Sequence, residues 1–429
     1  MEEMREIIEE TLKFTLNSQI NQTLEFDLCL STEFCSNLLR DDPNDSVSLP
    51  PTGFCDISQS DIAAGSFEGV REYPLFKCVA SALYQSIISG SFCKTYNKID
   101  FVSEDISLKQ KEEQWSKSIL EKGTELINVL NSIFCELHVQ EPYFSLLKDG
   151  IKTIEGRCAG GNYSRIEPGA LILINKSVVL KVKEVHQYPS FLEMLKAESL
   201  SEVLPGVKTI EEGVKIYWKF YSEEKEMSNG VLAICVSKVP SQPYLFLASI
   251  LSELGYTGIQ SLLGIAHTVG TASNALPPSK STLISSFTLP YRPNRTHSFG
   301  GVSDPRPGIT KVNHLLPSYI AVEFDIQVNG STLTQGARAL AKHSERSSSK
   351  YWGVVDGNDS TKNMLALNVI NGLIASCCWS NVHIAPQHGT VFEIRVADGY
   401  GARWSQDGSK FIGFLEPYME DGFAKGYKH

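Results

Sequence analysis

At about residue 136 the apolar residues of this 429-residue chain change their period, and that change limits the domains it can form. Before it the spacing is helical. Met4, Ile7, Ile8, Leu12 and Leu16 make one stripe, with glutamates on the other face. A loop rich in Asp, Asn, Ser and Pro follows at about 40–72. Pro74 then opens a second helix, with Leu75, Val79, Leu83 and Ile87 as its stripe and Gly90 as its end. A third helix is expected from about Leu108 to Cys135, carrying Trp115, Ile119, Leu126, Leu130 and Ile133. Residues 1–135 thus read as a helical domain whose stripes build a core or a protein-binding face. From 136 to 240 strands take over. Ala170–Asn175 is continuously apolar, and Val178–Val185 alternates, with Leu180 and Val182 opposed to Lys181 and Lys183. Thr209 with Glu212 has the spacing of a helix cap, and Val231–Val236 is another strand. Short strands with two helices in about a hundred residues suit a small mixed barrel.

Beyond 240 a helix (Leu245–Leu254) leads into a stretch dense in Ser, Thr, Pro, Gly and Asn, from Thr268 to Pro317. Its Lys280, Arg292, Arg295, Arg306 and Lys311, interleaved with Tyr291 and Phe299, read as a basic flexible linker within residues 241–318. Such a tether is expected to be cut first by trypsin near Arg292 or Arg306. Residues 319–429 read as an α+β domain. Ile320 to Val328 alternates as a strand, helices are expected at about 332–346 and 362–376, and Val391–Ala397 is a further strand. Asp407-Gly408 marks a hairpin between Ala402–Gln406 and Lys410–Leu415. Its polar candidates are Glu323 with Asp325, Glu393 with Arg395, the helical Arg338, Lys342 and His343, and His383 and His388 in a loop. The fold class is therefore a multidomain α+β chain: helical region, central barrel, C-terminal α+β domain.

Charge and cysteines narrow the functions. A formal net charge of -10 excludes a generic nucleic-acid coat and confines any such contact to a locally basic patch. None of the ten cysteines forms a C-x-x-C pair, so neither a metal site nor a cofactor is expected. Several, such as Cys78 and Cys235, sit in apolar runs as small hydrophobes. The acidic, amphipathic MEEMREIIEE start is unlike a signal peptide, and no apolar run is long enough for a membrane span. The expectation is an intracellular protein, nuclear or cytoplasmic, without a membrane partner.

The segment that carries chemistry begins at Glu141-Pro142-Tyr143 and continues through Gly150, Lys152, Glu155 and Arg157. It reads as a short helix ending at Gly150, followed by a strand. Lys152 shares a strand face with Ile154, while Thr153, Glu155 and Arg157 take the other. Strand twist brings the lysine, glutamate and arginine to one rim, where Arg forks onto phosphate or a base edge and Lys adds a point charge.

The Gly-x-Lys-x-x-Glu-x-Arg spacing resembles the signature of the ASCH family, whose fold is a PUA-like β-barrel. Glu141-Pro142-Tyr143 resembles that family's Gln-Pro-Trp element. Phe191–Leu195, Val203–Val207 and Tyr221–Glu226 resemble blocks of its small bacterial members. The flanking segments resemble extensions of plant ASCH proteins. The resemblance implies an RNA-binding cleft with Lys152, Arg157, Lys181, Lys183 and Tyr143 as contacts, in RNA processing or transcription coactivation. It also implies two alternatives. One is a hydrolase of acylated cytidine or RNA using Lys152 and Glu155. In the family's amidohydrolases a threonine stands where this chain has Glu155, and Glu202 is the nearest match to their acidic residue, so weak or no turnover of acylated cytidine is expected. The other alternative is a protein-interaction adaptor.

Overall fold

The computed structural model describes residues 2–42, 68–93, 106–291, 332–346 and 350–417. Four helices come first: α1 (Glu2–Ile20), α2 (Thr32–Leu39), α3 (Leu75–Ser89) and α4 (Ile106–Asn131). Pro74 stands just before α3 in extended backbone, and Gly90 caps it in the left-handed region at φ 67°. The helix expected to reach Cys135 stops at Asn131, because the chain turns extended and Ile133–Leu137 becomes strand β1.

The middle segment alternates strands and short helices. They are α5 (Tyr143–Lys148), β2 (Ile154–Cys158), β3 (Leu171–Ile174), β4 (Val178–Tyr188), α6 (Phe191–Ala197), α7 (Leu200–Val203), α8 (Ile210–Tyr217), α9 (Glu223–Asn229) and β5 (Val231–Lys238). The sheet order is β1-β3-β4-β5-β2, with β1 parallel to β3 and the other pairs antiparallel. Among the described residues no backbone pairing joins β1 to β2. The two ends of the sheet nevertheless approach each other: Arg157 on β2 donates from Nη2 to the His138 carbonyl, just after β1, at 2.6 Å.

The two faces of this sheet bury separate cores. Ile172, Ile174, Leu180, Val182, Leu232 and Ile234 point to one side. Ile154, Cys158, Val231 and Ala233 point to the other, under Phe191, Met194, Leu195 and Tyr217 from the short helices. This is the period-2 alternation carried through to packing. Lys181 and Lys183 are exposed and alternate with buried Leu180 and Val182, as the period requires.

The segment after 240 behaves differently from a tether. Helix α10 (Pro243–Leu262), kinked at Gly255, packs on α1 and α4 and shares their core through Leu247, Leu251 and Leu254. Trp115 fastens α4 to it by donating from Nε1 to the Glu253 carbonyl at 3.1 Å. Helix α11 (Lys280–Phe287) buries Leu283 and Phe287 in the C-terminal core. The basic stretch is therefore anchored up to Tyr291. Arg292, Arg295, Phe299, Arg306 and Lys311 lie outside the described residues, as do the strand expected from Ile320 to Val328 and its Glu323 and Asp325.

The C-terminal region is α12 (Gln335–Arg346) and α13 (Asp359–Ser376), then β6 (Trp379–Ala385), β7 (Gly389–Arg395), β8 (Gly401–Ser405) and β9 (Phe411–Leu415), an antiparallel sheet in chain order. Phe392, Ile394, Ala402 and Trp404 face the core shared with α13, and Trp404 spends its indole N–H on the Leu283 carbonyl. His383, expected in a loop, lies on β6; His388 is in the turn that follows. Among the described residues no helix is long and apolar enough to cross a membrane.

Candidate functional sites

Helix α5 ends at Lys148, and Gly150, two residues on with a φ of 74°, turns the chain back toward β2. Lys152 lies in that turn and is 2% exposed. Its ammonium donates to the Ile154 carbonyl at 2.6 Å and to the Val203 carbonyl, and it pairs with Glu155 Oε2 at 3.2 Å. All three of its protons are thereby committed. Burial pulls the Lys152 pKa below the usual lysine value, and Glu155 opposes that pull. Arg157 Nε lies 2.9 Å from Glu155 Oε1. Burial also works against the Arg157 guanidinium, but Glu155 and Tyr221 outweigh it and raise its pKa. One buried carboxylate thus stands between two cations.

This trio floors a cavity of about 250 Å³. Tyr143, Tyr217, Phe220 and Tyr221 wall it, and His138 and Gly156 complete its rim and floor. Gly156 is required here: a Cβ would meet Tyr217 Oη at 2.4 Å and Met194 Cε at 2.9 Å. Strand parity gives the cleft a backbone edge as well. Val236 donates to the Thr153 carbonyl, and Ala159 to the Gly230 carbonyl, so odd-numbered residues of β2 face β5. The amide groups of Ile154, Gly156 and Cys158 therefore turn outward, and the Ile154 carbonyl is taken by Lys152. Tyr217 stacks on Phe191 at 4.2 Å, and its buried hydroxyl has no hydrogen-bond partner among the described residues. Burial raises its pKa well above 10.

Of the residues singled out from sequence, Tyr143, Lys152, Glu155 and Arg157 meet in this cleft. Lys181 and Lys183 are on β4 and do not line it. Glu202 is an exposed residue of α7 and contributes its carbonyl, which accepts from the Thr153 N–H. Tyr217, Phe220 and Tyr221 were missed, although Tyr217-Trp218-Lys219-Phe220-Tyr221 after an amphipathic helix is a visible aromatic run. Phe220 and Trp218 are each 52% exposed, unusual for rings of that size.

A second polar cluster occupies the sheet face turned away from α13. Glu393 on β7 is opposite Asn381 on β6 and Arg403 on β8. Its Oε1 accepts from Arg395 Nε at 2.6 Å, and its Oε2 from Arg403 Nη2 at 2.6 Å, with His383 Nε2 at 3.2 Å. Burial would raise this carboxyl, but His383, Arg395 and Arg403 together hold it at about 2. Arg395 also donates to the Gly399 and Glu416 carbonyls. The sequence paired Glu393 with Arg395 and missed the cross-strand partners, which depend on register.

Comparison with known proteins finds two family models that match parts of this chain. The ASCH domain matches residues 137–240, and the CdiA C-terminal tRNase toxin domain matches residues 325–416. Among solved structures, the crystal structure of hypothetical protein PH0355 is 45% identical over 24% of this chain and 98% of its own, with a TM-score of 0.24. The solution structure of protein PF0455 from Pyrococcus furiosus is 42% identical over 24% of this chain and 96% of its own, with a TM-score of 0.23. No curated protein matches. The family match covers the strand, turn and helix segments that build the Lys152–Glu155–Arg157 cleft, and through residues 137–240 this chain belongs to the ASCH-domain family.

Proposed function

We propose that this protein binds RNA through the cleft floored by Lys152, Glu155 and Arg157. The observation that carries the reading is an aromatic-walled cavity of about 250 Å³, large enough for one nucleobase, with an ion-paired floor and an open backbone edge at Gly156. Tyr143 and Phe220 supply stacking faces, which bind bases with little regard to sequence. Arg157 supplies a fork for phosphate or a base edge. Lys152 acts from beneath by holding Glu155 in place, since its own protons are committed. The curled sheet then serves as the wall of a PUA-like barrel, with the cleft as its mouth. Lys181 and Lys183, outside the cleft, add phosphate attraction along an exposed strand. The test is fluorescence anisotropy with short single-stranded and hairpin RNAs at two salt concentrations. Affinity is expected to fall with salt at a slope set by a few phosphates. Absence of binding below about 100 μM at low salt, where even non-specific contacts show, rejects the reading in favour of a protein-interaction adaptor.

A second reading, RNA cleavage, is favoured by the tRNase toxin family at 325–416 together with the His383–Glu393–Arg395–Arg403 cluster. A carboxylate that accepts from one imidazole nitrogen fixes the tautomer and leaves the other nitrogen to exchange a proton. Two guanidiniums beside it match a phosphodiester. On this reading the ASCH cleft holds the RNA and the C-terminal sheet cuts it. Incubation of the full chain with tRNA and with His383→Ala as control decides it. Cleavage by the parent and not by the variant supports it; equal products from both assign the activity elsewhere.

A further inference from the structure

Outside both sites, His186, Glu198 and Cys235 converge on the sheet face that also carries the short helices. Glu184 and Cys235 are directly opposite in the β4–β5 register, and His186 is two residues along the same face of β4. Glu198, the residue that ends α6, comes down over them. One donor atom each from His186, Glu198 and Cys235 lies within 4.8 Å of the others. His186 Nδ1 is 2.7 Å from Glu198 Oε1, while its Nε2 is 3.3 Å from Glu184 Oε2.

The last distance is informative. A metal-binding histidine nearly always gives its second ring N–H to a carboxylate, a backbone carbonyl or water, which fixes the tautomer and makes the free nitrogen a better ligand. Glu184 is placed for that role, turning Nδ1 toward Glu198 and Cys235. Charge points the same way. Among the described residues the ion pairs of Glu184 and Glu198 reach only His186, so two carboxylates share one imidazole.

We propose that His186 Nδ1, Glu198 and Cys235 bind a divalent transition-metal ion of the zinc class, with the fourth position left to water. The donor chemistry selects the ion. A thiolate and an imidazole exclude magnesium and calcium, while one sulfur, one nitrogen and one oxygen suit tetrahedral zinc. Burial, then the neighbouring Glu198, Glu184 and Glu202, push the Cys235 thiol up to about 11, so binding releases its proton. The site also has a mechanical consequence. Glu198 begins the stretch whose Glu202 carbonyl accepts from the Thr153 N–H and whose Val203 carbonyl holds the Lys152 ammonium. An ion at Glu198 therefore pins the segment that supports the cleft floor to β4 and β5.

The test is titration of the chelator-treated full chain with cobalt(II), followed by absorbance. One ion per chain is expected, with tetrahedral ligand-field bands and a thiolate-to-cobalt charge-transfer band. Cys235→Ser should remove the charge-transfer band, whereas Cys29→Ser, at an exposed cysteine, should leave it. Glu184→Gln should keep the band but weaken affinity about 10–100-fold. Far-ultraviolet circular dichroism shows whether each variant folds, and the parent spectrum needs no variant at all. Absence of a thiolate band in the parent, or its persistence in Cys235→Ser, overturns the proposal.

Discussion

The ASCH cleft and the C-terminal sheet each place one buried glutamate between two cations, and they do so with opposite consequences. In the cleft, Glu155 stands between an ammonium and a guanidinium beneath an aromatic-walled cavity. In the C-terminal sheet, Glu393 accepts from two guanidiniums and an imidazole contributed by three adjacent strands. The first trio comes from six residues of one turn and strand, so it is local and leaves space above itself. The second is assembled across a register and leaves its glutamate only 3% exposed. A cation pair drawn from one turn and its strand can serve a ligand, whereas a cross-strand network also holds strands together.

The largest test of that contrast is Glu393→Gln. Removing one partner of a buried network strands the others, at about 3–5 kcal/mol. Chemical denaturation should show a loss of that size; a loss under about 1 kcal/mol would mean that the network behaves as a surface pair. The acid limb gives a second measure. The folded pKa of Glu393 is depressed to about 2, below its ordinary 4.5. Its stabilisation is therefore fully present above about pH 4.5 and is lost as pH falls toward 2, about 3 kcal/mol in all. Denaturation curves of the parent across that window should lose this increment, and Glu393→Gln should not.

The cleft responds to shape. Gly156→Ala forces a methyl against Tyr217 and should cost about 1–3 kcal/mol of stability. Gly156→Ala with Tyr217→Phe, which removes the nearest atom, should recover part of it; strict additivity would mean the two positions do not touch in solution. For RNA, Arg157→Ala should weaken binding by about 1–3 kcal/mol and relax sequence preference if Arg157 forks onto a base. The smallest effect is at the exposed lysines. Lys181→Ala or Lys183→Ala should weaken all RNAs about equally and reduce the salt slope by about one each. A sequence-dependent loss there would move the recognition surface from the cleft to β4.

Much of the ASCH site was legible because its polar trio is local. Gly150, Lys152, Glu155 and Arg157 fall within one turn and strand, and their spacing survives folding unchanged. Tyr217 and Tyr221 were not legible as walls, since their approach to β2 depends on how α8 lies across the sheet. Lys181 and Lys183 were correctly read as exposed, but exposure does not say which face of the molecule the cleft occupies. In the same way, Glu393 and Arg395 share a strand face by parity alone, while Arg403 and His383 reach them only through the β7–β8 and β6–β7 registers.

The sequence by itself determined the periodic elements: the helical stripe of α1, the Gly90 stop, the alternation of β4 and the hairpin turn at Asp407-Gly408. These depend on neighbours a few residues away, where backbone geometry leaves few choices. Tertiary structure decided that α10 joins the N-terminal helices, that α11 anchors the basic stretch, and that an ammonium as ordinary in sequence as Lys152 becomes 2% exposed. Burial and register are sums over contacts distant in the chain, such as Val203 on Lys152 or Leu283 on Trp404, and no local pattern encodes them.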